Sequence, residues 1–555
     1  MNPQANAHFA AFPASVEMPR SSFDRSYRWV STSRAGVLNC FMAKEVYPGD
    51  SVDGRITHLS RMTTPIYPVM DTLQLEHAVF FVPNRLLWQH WKQFMGENDT
   101  SQWTPSSTYT VPFQPLLNTT DSSGNPTRTP GDYAHQMGFA INVTVGSAAP
   151  NASALPFRAL RLCYNEWFRT PTVDDPLPLN VSDNPNDYSY LKPLPVGRVR
   201  DYFSTCTPQP QFGDAVRAML QGFAPVFAAS ATTNDLTASD KTKAGIGELR
   251  MLRTSNMTAP TSDAGLTAAS TSGKVYAAAS DTLTSTTLTP ANLVVNPEVL
   301  GSLGLDVNTL RLAFAAQRVL EKLAMCGNRY IESIRAFFGV ISPDARQQRP
   351  QLLGYGKQYV NMTDVPQSSA TASGQTPLGT VGAYSKTVSK DCTWSSSFTE
   401  HGWLIGVYWY RIARTYTQGY PRELSRFRFE DYYNPAYAFI GQQPVYVKEL
   451  YGLTSSLSDI FGYNEAWSEM RYSQSIACGL MDPAVTGSLG TYWTYADYYQ
   501  SAPTLSASWM HEGDANVART LAVVDQDQFL DDVFVESTWT RVLPTHSIPG
   551  LIDHF

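Results

Sequence analysis

The sequence predicts a mainly β protein: antiparallel strands arranged as a sandwich or jelly roll, with long loop insertions and a few helices. Three observations carry that expectation. Runs in which apolar and polar residues alternate recur near both ends of the chain. One run, Phe398 to Ile412 (FTEHGWLIGVYWYRI), is apolar on both faces and has to be covered twice. Between the runs lie long irregular connections dense in Pro, Asn, Ser and Thr, and helical spacing is confined to a few islands.

Residues 1–36 read as an arm, polar and irregular, in which Arg20, Arg25, Arg28 and Arg34 face only Glu17 and Asp24. Two readings stay open: a solvated or interface-draped tail, and an inward-facing arm whose four arginines touch phosphate. Residues 37–228 carry the first strands. Val37 to Val46 is the first, closed by Tyr47-Pro48-Gly49-Asp50, where Pro fixes φ and Gly accepts φ > 0 as a type II turn requires. Leu73, Leu75, His77, Val79 and Phe81 then alternate with Gln74, Glu76, Ala78, Phe80 and Val82, a period of two with one strongly apolar face, ended by Pro83. Leu86 to Phe94 has the spacing of a short helix lying over a sheet. Residues 97–200 are dominated by loops, with a helical island from Ala154 to Arg169 whose Leu160, Tyr164, Trp167 and Phe168 share one face.

From 229 to 303 the composition turns to Ala, Ser, Thr, Gly and Asp with little apolar periodicity. Alone, this reads as a linker; inside a compact domain, so long a stretch reads as a functional surface element. Residues 304–555 return to regular structure. A helix is expected over Val307–Gly327, with Leu310, Phe314, Gln317, Val319, Leu320, Leu323 and Ala324 as a buried stripe and Gly327 at its end. Arg329 to Val340 continues amphipathically, Thr363 to Lys390 reads as a polar loop, and a last strand is marked by Val533, Val535, Trp539 and Leu543.

The 555 residues and 43% hydrophobic content are enough for one very large β domain or several ordinary ones. No apolar run is long enough to span a membrane, and no charged start with an apolar core marks a secretory leader. The six Cys are scattered without a CxxC pair, which reads as free thiols and no zinc site. No HExxH, GxSxG or phosphate-loop motif occurs, and no cofactor is expected. Glu465 and Glu469 sit four apart, as an acid/base pair on a helix could, but Arg471 beside them favours ion pairing. No catalytic residue is expected. The net charge of −7 excludes a protein that binds DNA over its whole surface. The 12 Trp, 29 Tyr and 37 Pro suit wide contact areas on loops.

Several ordered motifs resemble one family. Thr64-Pro65-Ile66, Phe80-Phe81-Val82-Pro83-Asn84-Arg85 and Phe94-Met95-Gly96-Glu97 are similar to the major capsid proteins of the Microviridae, the small icosahedral single-stranded-DNA bacteriophages, closest to the gokushovirus branch. So are Asp201-Tyr202-Phe203, Ser342-Pro343-Asp344-Ala345-Arg346, Tyr432-Tyr433-Asn434-Pro435, the segment Phe461 to Tyr472 and the ending Ser547 to Phe555. The resemblance implies an eight-stranded antiparallel jelly roll of the viral capsid type. It also implies sixty copies in a T=1 shell around circular single-stranded DNA, assembled in the bacterial cytoplasm and located in the virion. Residues 229–303 would then be a protrusion at the three-fold axes, facing a host cell-surface receptor.

Charge adds an inference of its own. Sixty copies at −7 carry about −420, so such a shell repels its cargo. Neutralisation then falls to a separate small basic DNA-binding virion protein, to cations, and to local patches such as the four arginines. A pilot protein and a scaffold are further expected partners. The rival readings are a carbohydrate-binding or adhesin-type β protein, for which a secretion signal is wanting, and a glycan-active β enzyme, which no motif supports.

Overall fold

The computed structural model describes residues 19–98, 108–116, 130–140, 151–216, 307–369, 377–454, 456–523 and 525–547, with the backbone of short strand pairs in between. The chain divides into two units: Met1–Phe212 with Glu321–Phe555, and Gly213–Leu320.

The large unit is built on ten strands: β1 (Arg20–Asp24), β2 (Tyr27–Ser33), β3 (Val37–Val46), β4 (Ser51–Met62), β5 (Leu73–Pro83), β6 (Gln351–Tyr359), β7 (Thr387–Ser389), β8 (Thr393–Ser397), β9 (Gly402–Ile412) and β10 (Phe529–Val542). Six make one antiparallel sheet, in which β10 lies between β4 and the pair β1 and β2, and β7 and β8 flank β4 on its other side. The second sheet runs Leu194–Pro195, β3, β9, β5, β6, again antiparallel. The chain therefore crosses from sheet to sheet repeatedly: β1 and β2 in the first, β3 in the second, β4 in the first, β5 and β6 in the second, β7 and β8 in the first, β9 in the second, β10 in the first.

The two sheets share one core. Val52, Ile56, Val533, Val535 and Trp539 from the first pack with Met42, Leu75, Val79, Leu404 and Tyr410 from the second. The second sheet also has another buried side, where Ala78, Phe80, Ile405, Val407 and Trp409 meet Trp88, Phe157 and Leu160. This accounts for the doubly apolar run at 402–412, and it corrects the expectation for 73–83: all eleven residues of β5 are buried, polar Gln74 and Glu76 included. A bulge tunes the fit. Met42 and Cys40 oppose the adjacent residues Gly406 and Val407, so Phe41 is the extra residue of β3. Leu38 and Cys40 consequently face the outer cover, while Phe41, Met42 and Val46 face the other sheet.

The turn after β3 forms as expected: the Asp50 N–H donates to the Tyr47 carbonyl at 3.0 Å and Gly49 has φ +90°. The outer cover is the helix α1 (Leu155–Cys163), prolonged by a π-helical turn over Tyr164–Phe168, with short helical turns at Asn84–Leu86 and Trp91–Phe94. Buried Arg158 on α1 ties down the surrounding loops. Its guanidinium donates to Asn186 Oδ1 and to the carbonyls of Leu87, Ser182 and Asn184 at 2.8–3.1 Å, and burial pushes its pKa down to about 10. A third cluster gathers Phe203, Tyr416, Val445, Leu450 and Phe461.

Three expectations give way. Residues 20–33 are two strands of the first sheet, so the irregular arm does not extend over them; residues 1–18 lie outside the described residues. The polar loop 363–390 contains a hairpin, Met362–Pro366 against Val381–Ser385, and then β7. Finally, α2 (Val307–Cys326) forms and Gly327 takes φ +97°, but none of its residues is buried and Phe314 is 68% exposed. Helical periodicity fixes which face is apolar and leaves open what covers it. The helix α3 (Tyr330–Phe338) follows and ends on Gly339 at φ +69°.

In the small unit the backbone forms three antiparallel pairs nested one inside another: Val226–Ala228 with Leu293–Val295, Met251–Arg253 with Leu288–Pro290, and Leu266–Ala268 with Val275–Ala277. The rest of the 229–303 insertion lies outside the described residues.

Candidate nucleic-acid interface and assembly surfaces

The four sequence-chosen arginines do not act together. Arg28 makes a two-pronged bond to Asp532 at 2.7 and 2.6 Å, and Arg34 bonds Asp527 at 2.9 Å with Asp514 at 3.8 Å. Both are neutralised at the surface. Arg20 opens β1 opposite Val542. Arg25 differs, because β1 and β2 hold it between them. Its N–H donates to the Ser537 carbonyl and its guanidinium lies 4.6 Å from the Trp539 ring.

Around Arg25 the fold collects cations that sequence reading missed. Lys44 of β3 sits 4.5 Å over the Tyr27 ring, and Arg541 approaches Trp539 at 4.6 Å, so that indole has two guanidiniums against it. Arg25, Lys44, Tyr27 and Trp539 line a cleft of about 180 Å³ that has no carboxylate in its wall. Burial and then Arg541 push the Arg25 pKa down; burial and then Arg25 push Lys44 down. Arg541 is itself matched by Asp50 at 2.9 Å, so the cations lining the cleft are Arg25 and Lys44. The available signal was Lys44, the lone cation in VLNCFMAKEV.

Other surfaces are apolar. Between Pro421 and Gly441, Leu424 is 80%, Phe427 88%, Phe429 73% and Phe439 97% exposed. Large aromatics bared this closely mark interaction surfaces.

The two carboxylates that could form an acid/base pair are not brought together. Glu465 pairs with Arg471, whereas Glu469 pairs with Arg426 at 2.9 Å, so the two carboxylates serve different partners. A constellation of His, Asp and Ser is sealed inside the sandwich. Asp531 on β10 accepts from His58 Nε2 at 3.0 Å, Tyr408 at 3.0 Å, Tyr410 at 2.5 Å and the Ser33 hydroxyl; His58 Nδ1 meets His77 Nε2 at 2.7 Å. Both Asp531 and His58 are inaccessible to any substrate. Burial alone would raise the Asp531 pKa, yet the His58, Ser33 and Tyr410 contacts outweigh it and hold the carboxyl below its usual range. Burial and then His58 keep His77 well below 6.5, so it is neutral. The network stitches β2, β4, β5, β9 and β10 together. Among the described residues, no group of acidic, His or Cys side chains could hold a metal ion, all six Cys are free, and no helix is long and apolar enough to cross a membrane.

Residues 11–551 match the family described as capsid protein (F protein). The chain belongs to this phage capsid protein family. Capsid protein VP1 of Chlamydia phage 1 is 32% identical, with 96% of each chain covered. Capsid protein VP1 of Bdellovibrio phage phiMH2K is 29% identical over 99% of each chain, and that of Spiroplasma virus 4 is 29% identical over 96%. The Microviridae resemblance read from the motifs is therefore correct, and this capsid protein is a structural protein, not an enzyme.

Proposed function

We propose that this capsid protein is the repeating subunit of a T=1 shell of sixty copies enclosing circular single-stranded DNA. The observation that carries the reading is the way the chain crosses between its sheets. With β1 and β2 counted as one strand, β7 and β8 as another, and the two-residue edge Leu194–Pro195 left aside, there are eight, four to a sheet, in the back-and-forth order expected of a viral jelly roll. The exposed aromatics at 421–441 and the exposed Leu312, Phe314 and Val319 of α2 support self-contact, because symmetric closure repeats each modest interface many times. Residues 229–303 serve as the host-attachment protrusion, and the nested strand pairs fit an extended finger. The cationic cleft at Arg25 and Lys44 is a local DNA contact, and Arg20 adds to it. Bulk neutralisation belongs to a small basic virion protein, with pilot protein and scaffold as assembly partners. The protein acts in the virion after assembly in the bacterial cytoplasm.

Electron microscopy of the expressed protein, with its assembly partners, tests this. Small uniform icosahedra are expected, and deletion of 229–303 leaves particles intact while abolishing attachment to host cells. A lone monomer that never forms particles under any assembly condition overturns the reading.

A further inference from the structure

A second cleft, of about 360 Å³, opens on the outer-cover side of the second sheet. Five arginines line it: Arg169, Arg198, Arg200, Arg329 and Arg411. They come from four separate segments, so only the fold brings them together. A single carboxylate, Glu76, shares the lining, and it is already engaged by Arg411 at 2.6 Å and Tyr355 at 2.7 Å. Arg198 is matched by Asp497 at 2.9 Å, and Arg329 has Glu332 at 3.7 Å. Among the described residues Arg169 and Arg200 bond backbone carbonyls, of Asp174 and Ser204 at 2.7 and 2.8 Å, while the charges of Glu332, Asp201 and Asp174 act on Arg200 from outside the lining. The lining itself thus holds five guanidiniums and one carboxylate, with further carboxylates set behind it.

Donors are also left over. Nε of Arg169, Arg198 and Arg329 is buried without a hydrogen-bond partner among the described residues. The same holds for Nε1 of Trp409, whose ring is 4% exposed. Half-buried guanidiniums sharing one cleft repel one another, and an anion among them relieves that repulsion. Beside them stands an aromatic wall of Trp167, Phe168 and half-exposed Tyr355. A lone carboxylate would leave most of these donors unused, and an inorganic anion would leave the wall unused. Forked guanidiniums suit phosphate, aromatic faces suit any base, and the volume lies in the small-molecule range.

We propose that this cleft seats one nucleotide unit of a single strand, with the phosphate among Arg169, Arg200 and Arg329 and the base against the aromatic wall. The assignment rests on the reading of the chain as a shell around single-stranded DNA and names where the strand touches it. Each seat is weak, and sixty copies multiply it.

The test is fluorescence anisotropy of a labelled dT octamer against the full chain, with an abasic octamer, dTMP and inorganic phosphate as competitors. Arg169→Ala with Arg200→Ala is expected to weaken octamer binding at least about tenfold and to lower the salt slope by roughly one to two, at about 0.7 per phosphate contact on a single strand. Tyr355→Ala weakens the dT octamer but not the abasic one; Tyr355→Phe restores binding. Arg200→Ala alone serves as a mild variant, since it sits at the exposed mouth and bonds one carbonyl, and thermal melts confirm folding. Unchanged affinity in folded variants overturns the proposal, as does competition by inorganic phosphate equal to that by dTMP. If those variants lose particles while octamer affinity stays constant, the cleft is a subunit contact and the shell reading survives. If wild-type protein never forms particles, the shell reading itself fails, whatever the cleft binds.

Discussion

The two sheets face the same core, yet only one has a second buried side. Every residue of β5 is buried and β9 is nearly so, because α1 and the helical turns after β5 cover the outer face of their sheet. In β10, burial alternates strictly from Phe529 to Trp539, and Leu530 and Phe534 on its other face are 48% and 39% exposed. One sheet is a middle layer and the other a boundary. Apolar content alone does not separate them: Phe534 and Phe80 are the same residue type in the same kind of strand. What separates them is the intervening chain, which returns over one sheet and not over the other.

Substitutions can break that contrast. The largest effect is expected inside, where both sheets meet. Asp531→Ala leaves the hydroxyls of Tyr408 and Tyr410 and the His58 ring without their acceptor, at a cost of about 5 kcal/mol, and chemical denaturation should find little folded protein. Next comes the second buried side: Phe80→Ala costs about 3–5 kcal/mol, whereas Phe534→Ala on the open face stays within about 0.5–1 kcal/mol. Equal losses from the two would mean that the open face is covered after all.

A pH effect follows. His77 is held neutral, its folded pKa well below 6.5, so the unfolded chain takes up a proton that the native protein refuses, and stability falls as pH drops below 6.5. Asp531, held below 3.8, adds stability present above 3.8 that disappears as pH falls through its lower native value. Melting temperatures from pH 7.5 to 5 should decline, and His77→Gln should flatten the decline; an unchanged slope would assign it elsewhere. The smallest effect belongs to the surface pair: Arg28→Ala should leave the melting temperature where it was, because Arg28 is solvent-exposed and screened.

Much of this was legible in the residues. The runs at 37–46, 73–83, 402–412 and 529–542 announce strands because their period is two or their apolar content continuous. β1 and β2 were not, since RSSFD and YRWVSTS owe their strand state to β10, some 500 residues away. The bulge at Phe41 and the second cover of β5 are likewise products of pairing. At the candidate interface Arg25 could be chosen, but Lys44, Trp539 and Arg541 become its neighbours only through sheet register. Charge counting gave Arg28 and Arg34 the same weight as Arg25, because Asp532 and Asp527 stand far from them in the chain.

The position of β10 has a temporal consequence. It lies between β4 and the β1–β2 pair, so the first sheet has a gap at its centre until residue 542 has been translated. On the ribosome, β4 and β2 wait with unpaired edges while some 450 residues emerge, a state open to wrong partners. Folding of this chain is thereby tied to completed synthesis, and a product truncated before Phe529 lacks the strand that joins the two halves of its first sheet.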